Sequence, residues 1–197
     1  MNTYITGNTI KQLRERSRMT QRQLAELLQV SDKAISKWET GKGYPDITLL
    51  EPLGRHLGVS VAELLSGEYV TNGNRSANML KTKFYVCPLC GNVIASTGEG
   101  AFSCCGITLL VQEEEEIDEH HEIKVSKVEH DYYISMNHPM TKDHYISFMA
   151  YVTSDRLQLV KLYPEQMVEL RFPIQGRGFL YTYCNKHGLM KFRLSML

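Results

Sequence analysis

The stretch Cys184-Asn185-Lys186-His187-Gly188 sets a thiol and an imidazole three residues apart on a short loop that ends at a glycine. Further imidazoles lie upstream, at His138, at His144 and in the pair His120-His121. Sulfur together with several imidazoles favours a transition metal over calcium or magnesium, which take oxygen ligands. Because these candidate ligands exceed the four of a simple zinc site, the pattern points to redox-active iron.

The overall composition is that of an ordinary foldable chain, with 197 residues of which 43% are hydrophobic and 22% charged. The formal net charge is zero, but it is unevenly distributed. Residues 1–83 hold 12 Lys and Arg against 8 Asp and Glu, whereas residues 84–197 hold 10 against 14. The basic front therefore suits a polyanionic partner, and the acidic rear does not.

Nothing in the sequence indicates a membrane or a secretion route. No apolar run approaches the length of a bilayer span, and residues 1–10 lack the apolar segment and cleavage site of a signal peptide. We therefore expect a cytoplasmic protein with no membrane partner. Since the cytosol disfavours structural disulfides, we interpret the five cysteines as metal ligands or reactive thiols.

Residues 1–66 show the periodicity of a small all-α domain. Apolar residues recur at spacings of three and four, and capping boxes begin at Thr20 and Ser60. Together with single caps and glycine stops, these signals predict five short helices. Pro52 either kinks the fourth helix or shows that this helix begins later than its Asp46 cap suggests.

Within this domain, residues 20–31 have the layout of a helix, a tight turn and a new cap, and a second helix is predicted from about residue 32 to 39. Ile35 and Trp38 of that second helix are predicted to face the core of the domain. Its outward residues are candidates for reading base edges in the major groove: Asp32, Lys33, Ser36 and Lys37. The candidates for phosphate contacts, through an amide, an ammonium and a backbone N–H, are Gln21, Lys42 and Gly43.

This domain resembles the Cro/C1-type, or XRE, helix-turn-helix family. The resemblance implies double-stranded DNA as the partner, bound by a homodimer on a pseudo-palindromic site. A small helical bundle used for protein contacts is the alternative. The matching pieces are Thr20-Gln21, Leu24-Ala25, Val30-Ser31, the run from Ile35 to Gly41, Pro45-Asp46 and the run from Leu57 to Ser60.

The character of the chain changes after the helical domain. Residues 67–83 are rich in Gly, Asn, Ser and Thr without a period, which predicts a linker. From residue 84 onward, short segments with β-branched and aromatic residues predict an antiparallel sandwich, and the acidic run 113–116 predicts a surface turn. The predicted strands are Phe84–Val86, Ile123–Val128, Tyr132–Met136, Ile146–Val152, Leu157–Leu162, Met167–Phe172 and Phe179–Tyr183.

Four cysteines form a second candidate metal site: Cys87, Cys90, Cys104 and Cys105. Four thiolates close a tetrahedral site for zinc or for a single iron, and the sequence does not choose between these metals. Because neighbouring strand residues face opposite ways, the backbone must bend at the vicinal pair. Residues 84–112 resemble desulforedoxin, a small iron domain. A redox-active dithiol is the alternative.

Residues 113–197 resemble the iron domain of desulfoferrodoxin and neelaredoxin, the superoxide reductases. The resemblance implies an immunoglobulin-like β-sandwich that holds ferrous iron, and it implies superoxide and a small electron donor as partners. Glu119 and His120 occupy the positions of a family glutamate and lysine beside the reacting anion, so they are the candidate catalytic residues. The implied ligands are four equatorial histidines and one axial cysteine: His121, His138, His144, His187 and Cys184.

The predicted fold is therefore multidomain α + β, with a five-helix domain, a metal-binding hairpin and an immunoglobulin-like sandwich. Two functions fit it. One is a transcriptional regulator whose iron centre senses superoxide, redox state or iron supply. The other is a superoxide reductase with an accessory DNA-binding head, so enzyme activity stays open at this point. A third hypothesis has zinc in both sites and a purely structural rear.

Overall fold

The computed structural model describes residues 3–194 and divides into two compact units, one ending at Val70 and one beginning at Thr71. No helix in the described part of the chain is long and apolar enough to cross a membrane. The first unit is entirely helical, and the second consists mainly of β-strands.

The first unit contains the five predicted helices around one core. Their inward faces meet through Ile10, Leu24, Ile35, Leu53 and Leu64, which are fully buried. The helices are α1 (Thr3–Arg16), α2 (Gln21–Leu28), α3 (Asp32–Glu39), α4 (Ile47–Leu57) and α5 (Val61–Ser66).

Helix starts in this unit follow their capping residues. Thr20 accepts a hydrogen bond from the backbone N–H of Gln23, whose side chain accepts one from the Thr20 N–H in return. Ser60 makes the same reciprocal box at the start of α5. Asp46 caps α4 through the N–H of Thr48 at 2.9 Å, so α4 begins where its cap predicts and contains Pro52.

The second unit is a two-sheet sandwich with two extra hairpins. A three-stranded sheet has the order β10-β7-β6, and a five-stranded sheet has the order β5-β12-β11-β8-β9. Two hairpins, β1-β2 and β3-β4, form separate small sheets. The strands are Lys83–Val86, Val93–Ser96, Phe102–Cys104, Ile107–Leu109, Glu114–Glu115, Ile123–Val128, Asp131–Met136, Ile146–Val152, Leu157–Lys161, Val168–Pro173, Gly178–Cys184 and Gly188–Leu194, numbered β1 to β12 in this order.

Strand β8 is buried along its whole length because both faces of its sheet are covered. One face meets the three-stranded sheet, where Tyr151 packs against Tyr132 and Phe172. The other face meets strand β1, where Phe84 packs against Phe148 with ring centroids 5.3 Å apart. A strand covered on both sides is almost continuously apolar, and residues 146–152 follow this pattern except at Ser147.

Three features of the second unit differ from the sequence prediction. Glu114–Glu115 forms an exposed edge strand that pairs in parallel with β12, where we expected a surface turn. Strands β2, β3, β4 and β12 are not among the predicted strands. Residues 71–82, inside the predicted linker, belong to the second unit, and the Asn74 amide donates to the Thr97 carbonyl at 2.5 Å.

Candidate functional site

The five candidate iron ligands lie at or near the ends of elements in the second unit. His121 closes a 3-10 turn (Glu119–His121) just before β6. His138 follows β7, and His144 precedes β8. Cys184 is the last residue of β11, at an irregularity in its pairing with β8, and His187 lies in the turn to β12. Four separate segments of the chain therefore supply these five residues.

The five side chains share one pocket. Cys184 Sγ lies 3.7 Å from His138 Nε2 and 3.5 Å from His187 Nδ1. His144 Nε2 lies 3.3 Å from His187 Nδ1. His121 joins them, with its ring centroid 4.9 Å from that of His187. Potential ligand atoms of His121, His138, His144 and Cys184 all lie within 4.8 Å of one another. The sequence-predicted residues are thus brought together.

Burial disfavours protonation of two imidazoles in this pocket. Burial, followed by the charges of the neighbouring imidazoles, lowers the pKa of His138 to about 4. The pKa of His144 is also lowered, mainly by burial and next by the charges of His187 and Lys186. Neutral imidazole is the form that binds a metal ion. Burial therefore favours the metal-binding form of these two side chains.

An unsatisfied nitrogen indicates what the pocket would hold. His121 Nδ1 lies 2.5 Å from Asp118 Oδ1, which assigns the ring proton to Nδ1. Nε2 of the same ring is then a bare acceptor, and it is buried with no hydrogen-bond partner among residues 3–194. Such a group is costly to bury, and a metal ion would satisfy it. The residues present therefore fit a metal ion.

Asp118 is a residue that the sequence analysis missed. Besides its contact with His121, its carboxylate accepts a hydrogen bond from the His120 N–H at 3.0 Å and so caps the 3-10 turn. The contact with His121 lowers the Asp118 pKa. A carboxylate that holds the far nitrogen of a ligating imidazole fixes its tautomer and orientation. The signal in the sequence was an N-capping residue three positions before a candidate ligand.

Replacing Asp118 with alanine is expected to weaken metal binding at this pocket by about 10- to 100-fold, since the His121 tautomer and ring orientation are then no longer fixed. Competition of the bound metal against a chelator measures the change. The matched control is Asp143→Ala. Asp143 is exposed, and the Asn185 amide donates to its backbone carbonyl rather than to its side chain. Unchanged affinity in Asp118→Ala would contradict the assigned role.

The two candidate catalytic residues lie at the rim of the imidazole–thiol pocket. Glu119 and His120 belong to the same 3-10 turn as His121, and both side chains are exposed. Lys186, also exposed, is close enough for its charge to act on His144. Exposed Glu119 and His120 therefore precede buried His121 on one turn, and Lys186 adds a positive charge near His144.

The four cysteines of the front of the second unit also converge. Cys90 Sγ lies 3.6 Å from Cys104 Sγ, which lies 3.9 Å from Cys105 Sγ, and all four sulfurs are within 4.8 Å. Cys105 has a φ of 51°, the left-handed conformation, which is the bend that the vicinal pair requires.

The thiols of this second cluster titrate as a group. The backbone N–H of Cys90 contributes most to lowering the Cys87 pKa to about 7, whereas hydrogen bonding to Cys90 raises the pKa of Cys105 to about 12. The first proton leaves easily and the last is retained, because adjacent thiolates repel one another. A bound cation would remove that repulsion, so the cluster also fits a metal.

The helix-turn-helix candidates divide into two groups. Among the base-reading candidates of α3, Asp32, Lys33 and Lys37 are exposed and Ser36 is half-buried. The other group flanks this helix. Gln21 is half-buried, and its amide donates to Glu39 Oε2 at 2.8 Å. Lys42 is exposed and Gly43 is half-buried in the turn after α3.

Comparisons with known proteins agree with both halves. Residues 10–64 match the Helix-turn-helix family, and residues 109–193 match the Desulfoferrodoxin family. An HTH-type transcriptional activator, BcrR, from Enterococcus faecalis is 40% identical over 101 residues, covering 43% of this chain and 50% of that protein. A desulfoferrodoxin from Clostridium acetobutylicum is 40% identical over 57 residues, covering 29% of this chain and 46% of that protein. This chain spans about half the length of these two relatives.

A desulfoferrodoxin from Syntrophotalea carbinolica is matched almost completely. It is 32% identical over 118 residues, which cover 55% of this chain and 94% of that protein. The superoxide reductase of Treponema pallidum shares the fold, with a TM-score of 0.50 and 21% identity over 56% of this chain and 96% of that chain. The predicted fold class and both family resemblances are confirmed. The chain therefore belongs to the desulfoferrodoxin family, and it carries a helix-turn-helix domain ahead of its desulfoferrodoxin domain.

Proposed function

We propose that this protein is a DNA-binding transcriptional regulator whose iron centre senses superoxide, redox state or iron supply. The observation that carries the proposal is the presence of two complete modules in one chain, a capped helix-turn-helix and a buried imidazole–thiol pocket. The first module has the architecture of a DNA reader, and the second has the donor set of a redox metal.

DNA recognition is assigned to the face of α3 and its flanks. In this proposal, Asp32, Lys33, Ser36 and Lys37 read base edges, since a recognition helix presents its outward residues to the major groove. Lys42 and the Gly43 N–H contact phosphates. Gln21 contributes a phosphate contact only if its amide leaves Glu39, to which it donates in the free protein. A homodimer would place two such helices on a pseudo-palindromic site.

Metal binding is assigned to both clusters. Iron would be held by His121, His138, His144, His187 and Cys184, and when bound it would supply one-electron chemistry. Asp118 orients His121, and burial keeps the His138 imidazole unprotonated. The four cysteines would hold iron or zinc.

Sensing requires that the metal state changes DNA affinity. Linkage makes this coupling reciprocal, and typical couplings correspond to about 5- to 150-fold in affinity. We therefore expect operator affinity to differ at least about fivefold among the reduced, oxidised and metal-free proteins. A titration of labelled operator with each form measures it. Equal affinity in all three forms would reject the sensor function while leaving DNA binding intact.

A second candidate function is superoxide reduction, favoured by the exposed rim at Glu119, His120 and Lys186. Superoxide takes up one electron and two protons to become hydrogen peroxide, and the positive charge of Lys186 would attract the anion. Reduced protein should then consume pulse-generated superoxide stoichiometrically, and a small electron donor should regenerate it. If the reduced protein consumes no superoxide, the second unit binds metal without acting as a reductase.

A further inference from the structure

Lys161 is a lysine of the sandwich whose ammonium reaches the backbone turn that follows Cys90. It is the last residue of edge strand β9, opposite Phe148 of β8. Its Nζ donates to the Gly91 carbonyl at 3.2 Å and to Ser147 Oγ at 2.8 Å. Gly91 directly follows Cys90, so this ammonium joins the cysteine turn to the five-stranded sheet.

Lys161 forms no ion pair within the described residues 3–194, and both of its hydrogen-bond acceptors are neutral oxygens. Burial lowers the pKa of this ammonium. A partly buried cation without an anion is unfavourable, so a negative charge is expected beside it.

The four-cysteine cluster would supply that charge once it is loaded. Four thiolates carry more negative charge than one divalent ion neutralises, so a loaded site is a net anion. The empty cluster, with its thiols partly protonated, carries less. The same lysine therefore interacts more favourably with the loaded site than with the empty one.

We propose that Lys161 is a positioning residue of the four-cysteine metal site, where its ammonium offsets the charge of the metal–thiolate unit and fixes the Cys90–Gly91 turn to the sandwich. This inference rests on the proposed metal role of the four cysteines. It is independent of DNA binding and of the metal in the imidazole pocket.

The test loads the full-length protein with ¹¹³Cd²⁺, because the cadmium resonance distinguishes a tetrathiolate from a nitrogen-rich site, and then withdraws the metal with a chelator. We expect Lys161→Met to lower the affinity of the tetrathiolate site by about tenfold, as a unit charge acting at moderate distance would. Lys161→Arg retains the charge and should stay close to wild type.

Two further variants separate charge from hydrogen bonding. Lys161→Gln keeps a donor without charge and should behave like Lys161→Met, and Ser147→Ala keeps the charge and should behave like wild type. If Lys161→Met does not fold, the Arg and Gln variants decide. Equal cadmium affinity in the Gln and Arg variants would overturn the proposal, whereas loss of all tetrathiolate signal in wild type would overturn the metal role itself.

Discussion

Replacing Glu39 with alanine is expected to destabilise the helix-turn-helix unit by about 3–5 kcal/mol, the usual cost of removing one partner of a buried ion pair. Glu39 accepts two hydrogen bonds from the Arg14 guanidinium, at 2.6 and 3.0 Å. The Arg14 side chain is only 10% exposed, and the Glu39 side chain is only 2% exposed. Without the carboxylate, buried Arg14 keeps only the longer contact to exposed Glu15 as a counter-charge, and Gln21 loses its acceptor.

The single tryptophan makes this experiment specific for the first unit. Trp38 is buried in the helical core, so its fluorescence in a urea titration reports on that unit. Glu15→Ala is the matched control, because Glu15 pairs with the same arginine at 3.6 Å but is 55% exposed. That control should change stability by less than about 1 kcal/mol. A Glu39→Ala protein as stable as the control would refute the role of the buried pair.

Acidification is expected to destabilise the metal-free second unit between about pH 6.5 and pH 4. His138 is buried and neutral in the folded state, with its pKa lowered to about 4. In that window the unfolded chain binds a proton that the folded chain does not, so stability falls as the pH falls. The lost free energy is at most about 3 kcal/mol, and it changes no further below pH 4.

Circular dichroism during urea unfolding at several pH values measures this slope for the β-rich unit. Other carboxylates and imidazoles titrate too, so the comparison is between slopes rather than absolute stabilities. The slope should be smaller in His138→Gln and unchanged in His56→Gln, since His56 is exposed in the other unit. Identical slopes in wild type and His138→Gln would show that His138 does not carry the effect.

The parts of the fold that sequence predicted are those encoded locally. The capping boxes at Thr20 and Ser60 depend on residues three positions apart, and both appear in the structure. The bend at Cys105 was expected because two adjacent strand residues cannot face one site. The ligand cluster was predicted through its resemblance to a family, since spacing alone does not bring His121 and His187 together.

The parts that sequence did not predict depend on contacts between distant segments. The parallel pairing of Glu114–Glu115 is set by its neighbour β12, which the chain reaches some seventy residues later. Lys161 gains its role only where the fold brings Gly91, 70 residues away in sequence, beside it. A charge in a strand carries no sign of such a partner in the sequence, whereas the contact of Asp118 with His121 is local and could be read from its capping position.

The central claim is that one iron is surrounded by imidazole nitrogens with the Cys184 sulfur beside them. X-ray absorption at the iron edge, recorded on full-length iron-loaded protein and on Cys184→Ala, tests it most directly. We expect a nitrogen contribution in both proteins and a sulfur contribution that is smaller by the Cys184 ligand in the variant, whether or not iron also fills the four-cysteine cluster. An iron shell made only of sulfur, identical in both proteins, would place the iron among the four cysteines and contradict the account.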